Sequence, residues 1–215
     1  MSHQNEKRSQ AHNPWNQVFQ TQGRVFEEPH PLLPTVVERL KANQAQNVLD
    51  LGAGTGRHVI FLASNGFTTY ALDSAPEGLA QTQRWLSSVG LQATLLEHDI
   101  YQPLPFADQF FDSIVSIQVI HHARLHQIEA LVAELHRILK PGGLLLVTVA
   151  KAMNQAHHYQ ELEPNTYLPL DGREAGLPHY FFTPEQLRQS FHQFTIEEIG
   201  VDEVEHTYLI ARRDA

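Results

Sequence analysis

The sequence predicts an α/β domain in which parallel strands alternate with helices. From residue 44 onwards, short β-rich runs alternate with amphipathic stretches, and this rhythm is typical of βαβ units. The first run leads into a glycine-rich turn, and two alternating runs near the C-terminus are joined by an acidic turn, as in an antiparallel hairpin. A length of 215 residues fits one such domain with one core.

Composition and charge exclude several classes of protein. Hydrophobic residues make up 42% of the chain, which is enough to build a core. A net charge of -9 makes nucleic acid and anionic membrane surfaces poor partners. The absence of cysteine excludes disulfide scaffolds and thiolate chemistry. Because the chain has neither a signal-like N-terminus nor a long apolar run, we expect a soluble, cytoplasmic protein.

The N-terminal part divides into a tail and a cap. Residues 1–13 are polar and show no hydrophobic period, so they are predicted to be a disordered tail. Residues 14–215 are predicted to form a single domain. Its first part, residues 14–43, forms an N-terminal cap that contains aromatic residues, three prolines and a short helix near Val36 and Leu40.

The alternating region predicts five parallel strands with helices between them. The predicted strands are Asn47–Leu51, Phe67–Leu72, Gln92–Glu97, Ser113–Ile117 and Leu144–Val149. The predicted helices are Arg57–Ser64, Pro76–Val89 and Leu125–Leu139, each with apolar residues on one face. The turn Lys140–Gly143 ends the last of these helices.

The C-terminal part begins with an irregular segment. Residues 151–182 are rich in His, Pro, Gly and aromatic residues without a period, and a loop of this length is usually functional. A helix restarts at Thr183, where Gln186 completes a capping box. Two final strands, Phe194–Ile199 and Thr207–Ala211, are predicted to form the antiparallel hairpin.

The glycine turn carries the clearest functional signal. Gly52, Gly54 and Gly56 permit a tight turn and close approach of the backbone to a ligand. A dinucleotide turn has a small residue at the sixth position of the motif, where this chain has Arg57. Asp50 precedes the turn, and its charge suits a cationic ligand better than a pyrophosphate. S-adenosylmethionine, with its ammonium and sulfonium groups, is such a ligand.

The run Val48–Gly56 resembles motif I of the class I S-adenosylmethionine-dependent methyltransferases. This resemblance implies a Rossmann-like seven-stranded sheet in the order 3-2-1-4-5-7-6, with strand 7 antiparallel and helices on both faces. It also implies that Asp73 accepts both ribose hydroxyls of the cofactor and that Asp99 and Ile100 contact the adenine. The cofactor-binding residues implied in this way are Asp50, Gly52, Ala53, Gly54, Thr55, Gly56, Asp73, Ser74, Asp99, Ile100 and Gln118.

The sequence predicts the residues that bind the methyl acceptor less precisely than those that bind the cofactor. His121 and His122 follow the fourth strand and are candidate general bases, although they could instead cap the strand-to-helix turn. In this family the region of residues 151–182 usually forms a lid over the acceptor. The candidate substrate-binding residues are Trp15, Arg24, His157, His158, His179 and Tyr180, and packing of the lid onto the core is the alternative role.

The resulting functional hypothesis is methyl transfer from S-adenosylmethionine to a small-molecule acceptor by in-line displacement. Two alternatives remain open: an NAD-dependent oxidoreductase on a Rossmann sheet, and a non-catalytic module that binds S-adenosylmethionine. We expect no metal site, because the adjacent histidine pairs lack the i, i+4 helical spacing of metal-ligating histidines. No Asn-Pro-Pro-Tyr-like sequence follows the fourth strand, which argues against the branches of this family that methylate DNA or protein amide nitrogens.

Overall fold

The computed structural model describes residues 14–214, so the predicted tail at residues 1–13 lies outside the described part. The strands are β1 (Asn47–Leu51), β2 (Thr68–Asp73), β3 (Thr94–Glu97), β4 (Phe111–Ile117), β5 (Leu139–Ala150), β6 (Tyr159–Glu163), β7 (Thr166–Pro169), β8 (His179–Tyr180), β9 (Phe194–Val201) and β10 (His206–Arg213). The helices are α1 (Pro14–Gln22), α2 (Leu33–Ala42), α3 (Arg57–Ser64), α4 (Pro76–Val89), α5 (Leu125–Ile138) and α6 (Pro184–Ser190).

Seven strands form the central sheet in the order β3-β2-β1-β4-β5-β10-β9. Strands β1 to β5 pair in parallel, and β10 runs antiparallel to both β5 and β9. Because β9 and β10 are the sixth and seventh strands of this sheet along the chain, the predicted order 3-2-1-4-5-7-6 is confirmed. The carboxyl ends of the parallel strands therefore meet at one edge, where ligands of open α/β sheets bind.

Hydrophobic layers cover both faces of this sheet. On one face, Leu33, Val36 and Leu40 of α2 are fully buried in a cluster with residues of β1, β4, β5 and β10. On the other face, Ile128 and Leu135 of α5 are fully buried in the largest cluster, together with residues of α6. The 3.6-residue spacing of apolar side chains in α5 thus predicts the face that the helix buries.

The capping box predicted at the start of α6 is present. Thr183 Oγ1 accepts a hydrogen bond from the Gln186 amide at 3.2 Å, and Gln186 Oε1 accepts one from the Thr183 amide at 2.8 Å. The predicted helix α3 begins and ends as expected at Arg57 and Ser64. Strand β5 begins earlier than expected, at Leu139, because the Lys140–Gly143 segment forms a register shift against β4 instead of a separate turn.

The segment of residues 151–182 contains a small antiparallel sheet that its sequence pattern does not reveal. Strands β6, β7 and β8 pair in that order, but β8 has only two residues and the β6–β7 register shifts between Glu161 and Glu163. These irregularities remove the alternation that marks a strand in a sequence. The Tyr180 amide donates to the His121 carbonyl at 2.8 Å, which fixes this sheet to the end of β4.

None of the helices in residues 14–214 combines the length and the apolar composition that a membrane span requires.

Candidate functional site

The glycine turn lies between β1 and α3, at the carboxyl edge of the sheet. Gly52, Gly54 and Gly56 have φ angles of 78°, 53° and 91°, a region that favours glycine. A Cβ atom at Gly52 would lie 2.3 Å from Cγ2 of Val119, and one at Gly56 would lie 2.6 Å from Cγ2 of Thr82. Both the backbone conformation and the space around the turn therefore require glycine.

Asp73 ends β2 with its carboxylate directed at this turn. Its Oδ2 accepts a hydrogen bond from the Gly54 amide and its Oδ1 accepts one from the Ala75 amide, each at 2.7 Å. Burial raises the pKa of Asp73 to about 6, although these amide hydrogen bonds oppose the shift. Each carboxylate oxygen can accept more than one hydrogen bond, so the group remains able to accept from ribose hydroxyls.

Asp50 is a buried carboxylate on β1, just before the turn. Within the described part of the chain, neither of its oxygens has a hydrogen-bond partner. Nδ1 of His58 lies 3.8 Å from Asp50 Oδ1, too far for a hydrogen bond. A buried anion without donors is costly, and a cationic ligand group relieves that cost. The unsatisfied carboxylate, the Asp73 acceptors and the glycine turn thus fit the ammonium and ribose groups of S-adenosylmethionine.

Helix α1 covers the glycine turn from the N-terminal side. Cζ of Phe19 lies 3.3 Å from the position that a Cβ at Gly54 would take, so the phenyl ring rests against the turn. Gln81 Nε2 donates to the Phe19 carbonyl at 2.8 Å, and the Glu77 amide donates to Asn16 Oδ1 at 2.9 Å. These hydrogen bonds connect α1 to α4 next to the glycine turn.

The other predicted cofactor residues lie at the same sheet edge. Asp99 is exposed after β3, where its Oδ1 accepts from the Tyr101 amide at 3.0 Å, and the next residue, Ile100, is buried. Gln118 follows β4 with a φ of 60°, and its Nε2 donates to Thr148 Oγ1 at 3.1 Å. Ala53 and Thr55 are buried within the turn, and Ser74 follows Asp73. The adenine-binding role of Asp99 and Ile100 stays a prediction.

His121 and His122 lie at the end of β4 and meet His179 of β8. The ring centroids are 4.1 Å apart for His121 and His122, 4.6 Å for His122 and His179, and 5.5 Å for His121 and His179. Glu174 adds a carboxylate, with Oε2 3.1 Å from His179 Nε2 and Oε1 3.5 Å from His122 Nε2. We call these four residues the histidine cluster.

Burial controls the protonation of the two histidines after β4. It lowers the pKa of His121 and of His122 well below the usual value, and the neighbouring imidazoles reinforce the shift. Both rings are therefore neutral at neutral pH. A neutral imidazole has one nitrogen lone pair, which can accept a proton or bind a metal ion.

A cavity of about 260 Å³ lies between α1 and the segment of residues 151–182. Trp15 contributes to one wall, and His157, Tyr159 and Glu174 contribute to the other. Since Glu174 belongs to both the cavity wall and the histidine cluster, the two features adjoin. The structure thus brings the predicted residues Trp15, His157, His121, His122 and His179 into one region.

Three other predicted substrate residues lie elsewhere or face differently. The His158 side chain is 85% exposed and its Nδ1 lies 2.7 Å from Asp171 Oδ2. Arg24 stacks on Trp85 at 4.4 Å in a separate surface depression. The Tyr180 side chain is buried in the main core. Their contact with a substrate stays a prediction, and the Tyr180 environment favours the packing role.

Sequence reasoning did not single out Glu174 or Tyr159. Glu174 stands in an irregular stretch with no motif, and only the folded chain brings it to His122. The one feature of the sequence that could point to Glu174 is its position five residues before His179. The spacing within the histidine pairs does not include it.

Comparisons with known proteins agree with this geometry. A family model described as a methyltransferase domain matches residues 48–143. A ubiquinone/menaquinone biosynthesis C-methyltransferase of Bordetella avium is 30% identical over 188 residues, which cover 81% of this chain and 71% of that protein. An uncharacterized methyltransferase of Synechocystis sp. is 32% identical over 108 residues, which are 50% of this chain and 49% of that protein. The chain therefore spans about half the length of this second relative.

A solved structure shows the same fold. The 1,6-didemethyltoxoflavin-N1-methyltransferase of Burkholderia thailandensis, with bound 1,6-didemethyltoxoflavin and S-adenosylhomocysteine, superposes with a TM-score of 0.68 at 19% identity. The superposition covers 100% of this chain and 92% of that one. From the glycine turn, the strand order, the family model and the Bordetella relative together, the chain belongs to the class I S-adenosylmethionine-dependent methyltransferases.

Proposed function

We propose that the protein transfers a methyl group from S-adenosylmethionine to a small-molecule acceptor that binds in the cavity between α1 and residues 151–182. One observation carries this proposal: the cavity and the glycine turn share a wall. Trp15 lines the cavity, Phe19 lies against Gly54 of the turn, and their ring centroids are 5.6 Å apart on the same helix. Two ligands bound in these places would be neighbours.

The cofactor side of the site binds and orients. S-adenosylmethionine, when bound, supplies a methyl group on a sulfonium that the acceptor's lone pair displaces in line, leaving S-adenosylhomocysteine. Asp73 accepts hydrogen bonds from the ribose, and Asp50 supplies a negative charge for the ammonium group. The glycine turn lets the backbone approach closely, because Gly52, Gly54 and Gly56 have no side chains to hold the ligand away.

The acceptor side selects for size and polarity. A volume of about 260 Å³ is near the lower end of small-molecule pockets. Its wall combines the aromatic rings of Trp15 and Tyr159 with the charged groups of Asp171, Arg173 and Glu174. We infer a small acceptor with a flat or apolar part and at least one polar group.

A proton leaves the acceptor when its nucleophilic atom is a hydroxyl, a thiol or an amine. Of the two candidate bases, His122 is better placed, because its side chain is 10% exposed and its Nε2 lies 3.5 Å from Glu174. The neutral ring can take the proton, and the carboxylate stabilises the imidazolium that forms. His121 is more deeply buried and supports the neighbouring ring.

Calorimetric titration of the full chain with S-adenosylmethionine, S-adenosylhomocysteine and NAD tests the cofactor assignment. We expect micromolar binding of the first two and none of NAD; binding of NAD alone would favour the oxidoreductase alternative.

Turnover tests the remaining alternative. The protein is incubated with S-adenosylmethionine and a panel of amines, phenols, carboxylates, thiols and chalcogen oxyanions, and release of S-adenosylhomocysteine is measured. Release that depends on one acceptor class supports the proposal. Tight cofactor binding with no release across the panel would favour the non-catalytic module.

A further inference from the structure

Three imidazoles meet at one point although they come from distant parts of the chain. His121 and His122 follow β4, whereas His179 is in β8. One ring nitrogen from each residue can be chosen so that all three nitrogens lie within 4.8 Å of one another. All three residues are buried or nearly so, and buried polar side chains need partners.

Both ring nitrogens of His179 face hydrogen-bond acceptors. Nδ1 lies 2.8 Å from the Leu177 carbonyl oxygen, and Nε2 lies 3.1 Å from Oε2 of Glu174. Both partners are acceptors, but a neutral imidazole has only one N–H group to donate. A metal ion between Nε2 and the carboxylate would satisfy both groups. An Nδ1–H donating to a backbone carbonyl is the arrangement that orients a ligating histidine.

His121 supplies a second, independent observation. Its Nδ1 is buried and, among residues 14–214, has no hydrogen-bond partner. Leaving such a group unsatisfied destabilises the folded state. A metal ion coordinated by the ring accounts for its burial.

Two hydrogen bonds and one ring contact support the histidine cluster from neighbouring residues. The Tyr180 amide donates to the His121 carbonyl at 2.8 Å, and the Tyr101 hydroxyl donates to the Ile120 carbonyl at 3.2 Å. Phe181 stacks on His179 with ring centroids 6.1 Å apart. Rigid support of this kind lowers the cost of holding ligands in one geometry.

We propose that His121, His122, His179 and Glu174 form a binding site for a divalent transition-metal ion of the Zn²⁺ class. Three imidazoles and one carboxylate are donors that Zn²⁺ takes, whereas Mg²⁺ and Ca²⁺ prefer oxygen ligands. In a tetrahedral zinc site, ligand atoms lie about 3.3 Å apart. Oε2 of Glu174 lies 3.1 Å from His179 Nε2 and Oε1 lies 3.5 Å from His122 Nε2, whereas the three imidazole nitrogens lie within 4.8 Å of one another, so the imidazoles would move closer together around the ion.

This site departs from the expectation of no metal, which rested on the spacing of histidine pairs in the sequence. That spacing describes ligands on one helix. Here the ligands come from the end of one strand, from a two-residue strand and from the turn before it. Linear spacing contains no information about such an arrangement.

The consequence for the acceptor rests on the function proposed above. Because Glu174 also lines the cavity, an ion in the cluster is adjacent to the acceptor. An acceptor hydroxyl or thiol would add to the four-coordinate ion as a fifth ligand; this coordination would lower its pKa, so its proton would pass to water before transfer. The new oxygen–carbon or sulfur–carbon bond then forms as the sulfonium–carbon bond breaks, and the electron pair stays on that sulfur. With the ion bound, His122 is a ligand and water replaces it as the proton acceptor, and a hydroxyl or thiol is favoured over an amine.

A second group of possible ligands provides a control. His30, Asp202 and His206 also have ligand atoms within 4.8 Å of one another. In that group the Leu32 amide donates to His30 Nδ1 at 3.4 Å, which places the proton of the neutral ring on Nε2, the nitrogen that faces Asp202. Nε2 of His30 lies 3.0 Å from Asp202 Oδ2, but among residues 14–214 this oxygen has no hydrogen-bond partner, so His206→Ala is needed to separate this group from the histidine cluster.

Metal content after chelator treatment, reloading with Zn²⁺ and dialysis tests the proposal on the full chain. We expect one Zn²⁺ per chain in the natural protein, and an affinity lower by on the order of a hundredfold in Glu174→Gln and in His179→Ala. Glu161→Gln, which changes an exposed acid of β6, and His206→Ala should keep the ion. Reloading with Co²⁺ should give a visible absorption spectrum that Glu174→Gln abolishes.

Each outcome is decisive. Absence of bound Zn²⁺ in the natural protein, or its retention in Glu174→Gln, would overturn the site, as would loss only in His206→Ala. Glu174 is partly exposed and the substitution keeps its shape, so a failure to fold is not expected; thermal unfolding and S-adenosylhomocysteine binding check this. Cofactor binding without Zn²⁺ overturns the metal site alone, whereas Zn²⁺ binding without cofactor binding overturns the proposed function alone.

Discussion

The cofactor side and the acceptor side of the cleft are built in different ways. The cofactor side comes from short contiguous stretches at the ends of β1 and β2, held by backbone amides and glycines. The acceptor side combines Trp15, His122 and Glu174, which are far apart in the chain. A local motif can specify the first kind of site because its geometry depends on local backbone conformation. The second kind exists only after the sheet and the segment of residues 151–182 have assembled.

If this division is correct, the largest effect will come from Asp73. Asp73→Ala removes the acceptors for the ribose hydroxyls, and we expect affinity for S-adenosylhomocysteine to fall by on the order of a hundredfold or more, because hydrogen bonds to a charged group are strong. Calorimetry measures the loss. Glu185→Ala, an exposed acid in the first turn of α6, is the control that should bind normally. Retained binding in Asp73→Ala would break the assignment of the cofactor side.

Two glycines with positive φ separate the effect of backbone strain from that of a steric clash: Gly52 has both, whereas Gly66 has strain alone. Gly52→Ala adds a Cβ 2.3 Å from Val119 at a φ of 78°, and we expect it to lower the free energy of unfolding by on the order of 3 kcal/mol and to weaken cofactor binding. Gly66→Ala has a φ of 91° but no atom within 4 Å of the new Cβ, so it should cost about 1 kcal/mol. Chemical denaturation of both variants measures the difference; equal losses would mean that Val119 moves aside.

A variant on the acceptor side should change turnover without changing cofactor affinity. Glu174→Gln removes the charge beside His122 and His179, and we expect kcat to fall by on the order of a hundredfold while the Kd for S-adenosylhomocysteine stays the same. Glu161→Gln should keep full activity. A parallel loss of cofactor binding in Glu174→Gln would show that the two sides are not separable.

The smallest effect concerns pH. Since burial raises the pKa of Asp73 to about 6, the carboxylate gains a proton as the pH falls below that value, and affinity for S-adenosylhomocysteine should fall by up to about tenfold per pH unit. Without ligand the sign is opposite: the folded state holds this proton more tightly than the unfolded state, so Asp73 adds stability at low pH and this is lost as the pH rises through 6. Binding by Asp73→Asn should be flat over this range.

Much of the fold could be predicted from the sequence. Helix α3 and the capping box of α6 follow from patterns that lie within a few residues of one another, whereas the strand order follows from the resemblance of Val48–Gly56 to a known family. Helix α1 has few apolar positions, so the sequence predicts only a cap there; in the fold its Phe19 packs against the glycine turn. The small sheet was missed because β8 is too short to show alternation.

In the candidate site, too, the residues near a strand end could be predicted from the sequence, whereas those brought together by the fold could not. Asp50, Asp73 and the glycines were found because each occupies a fixed place relative to a strand end. The meeting of His179 with His121 and His122 depends on the hydrogen bond between the Tyr180 amide and the His121 carbonyl, which no spacing encodes. Glu174 was missed for the same reason.

Helix α1 touches both halves of the cleft, and this has a consequence for the order of events. Phe19 rests on the glycine turn, Trp15 lines the cavity, and Gln22 Oε1 accepts a hydrogen bond from Arg173 at 3.0 Å. If binding of the cofactor shifts α1, the shape of the acceptor cavity changes, and if binding of the acceptor shifts α1, the contact at the glycine turn changes. Thermodynamic linkage makes that influence reciprocal: the factor by which bound cofactor changes acceptor affinity equals the factor by which acceptor changes cofactor affinity.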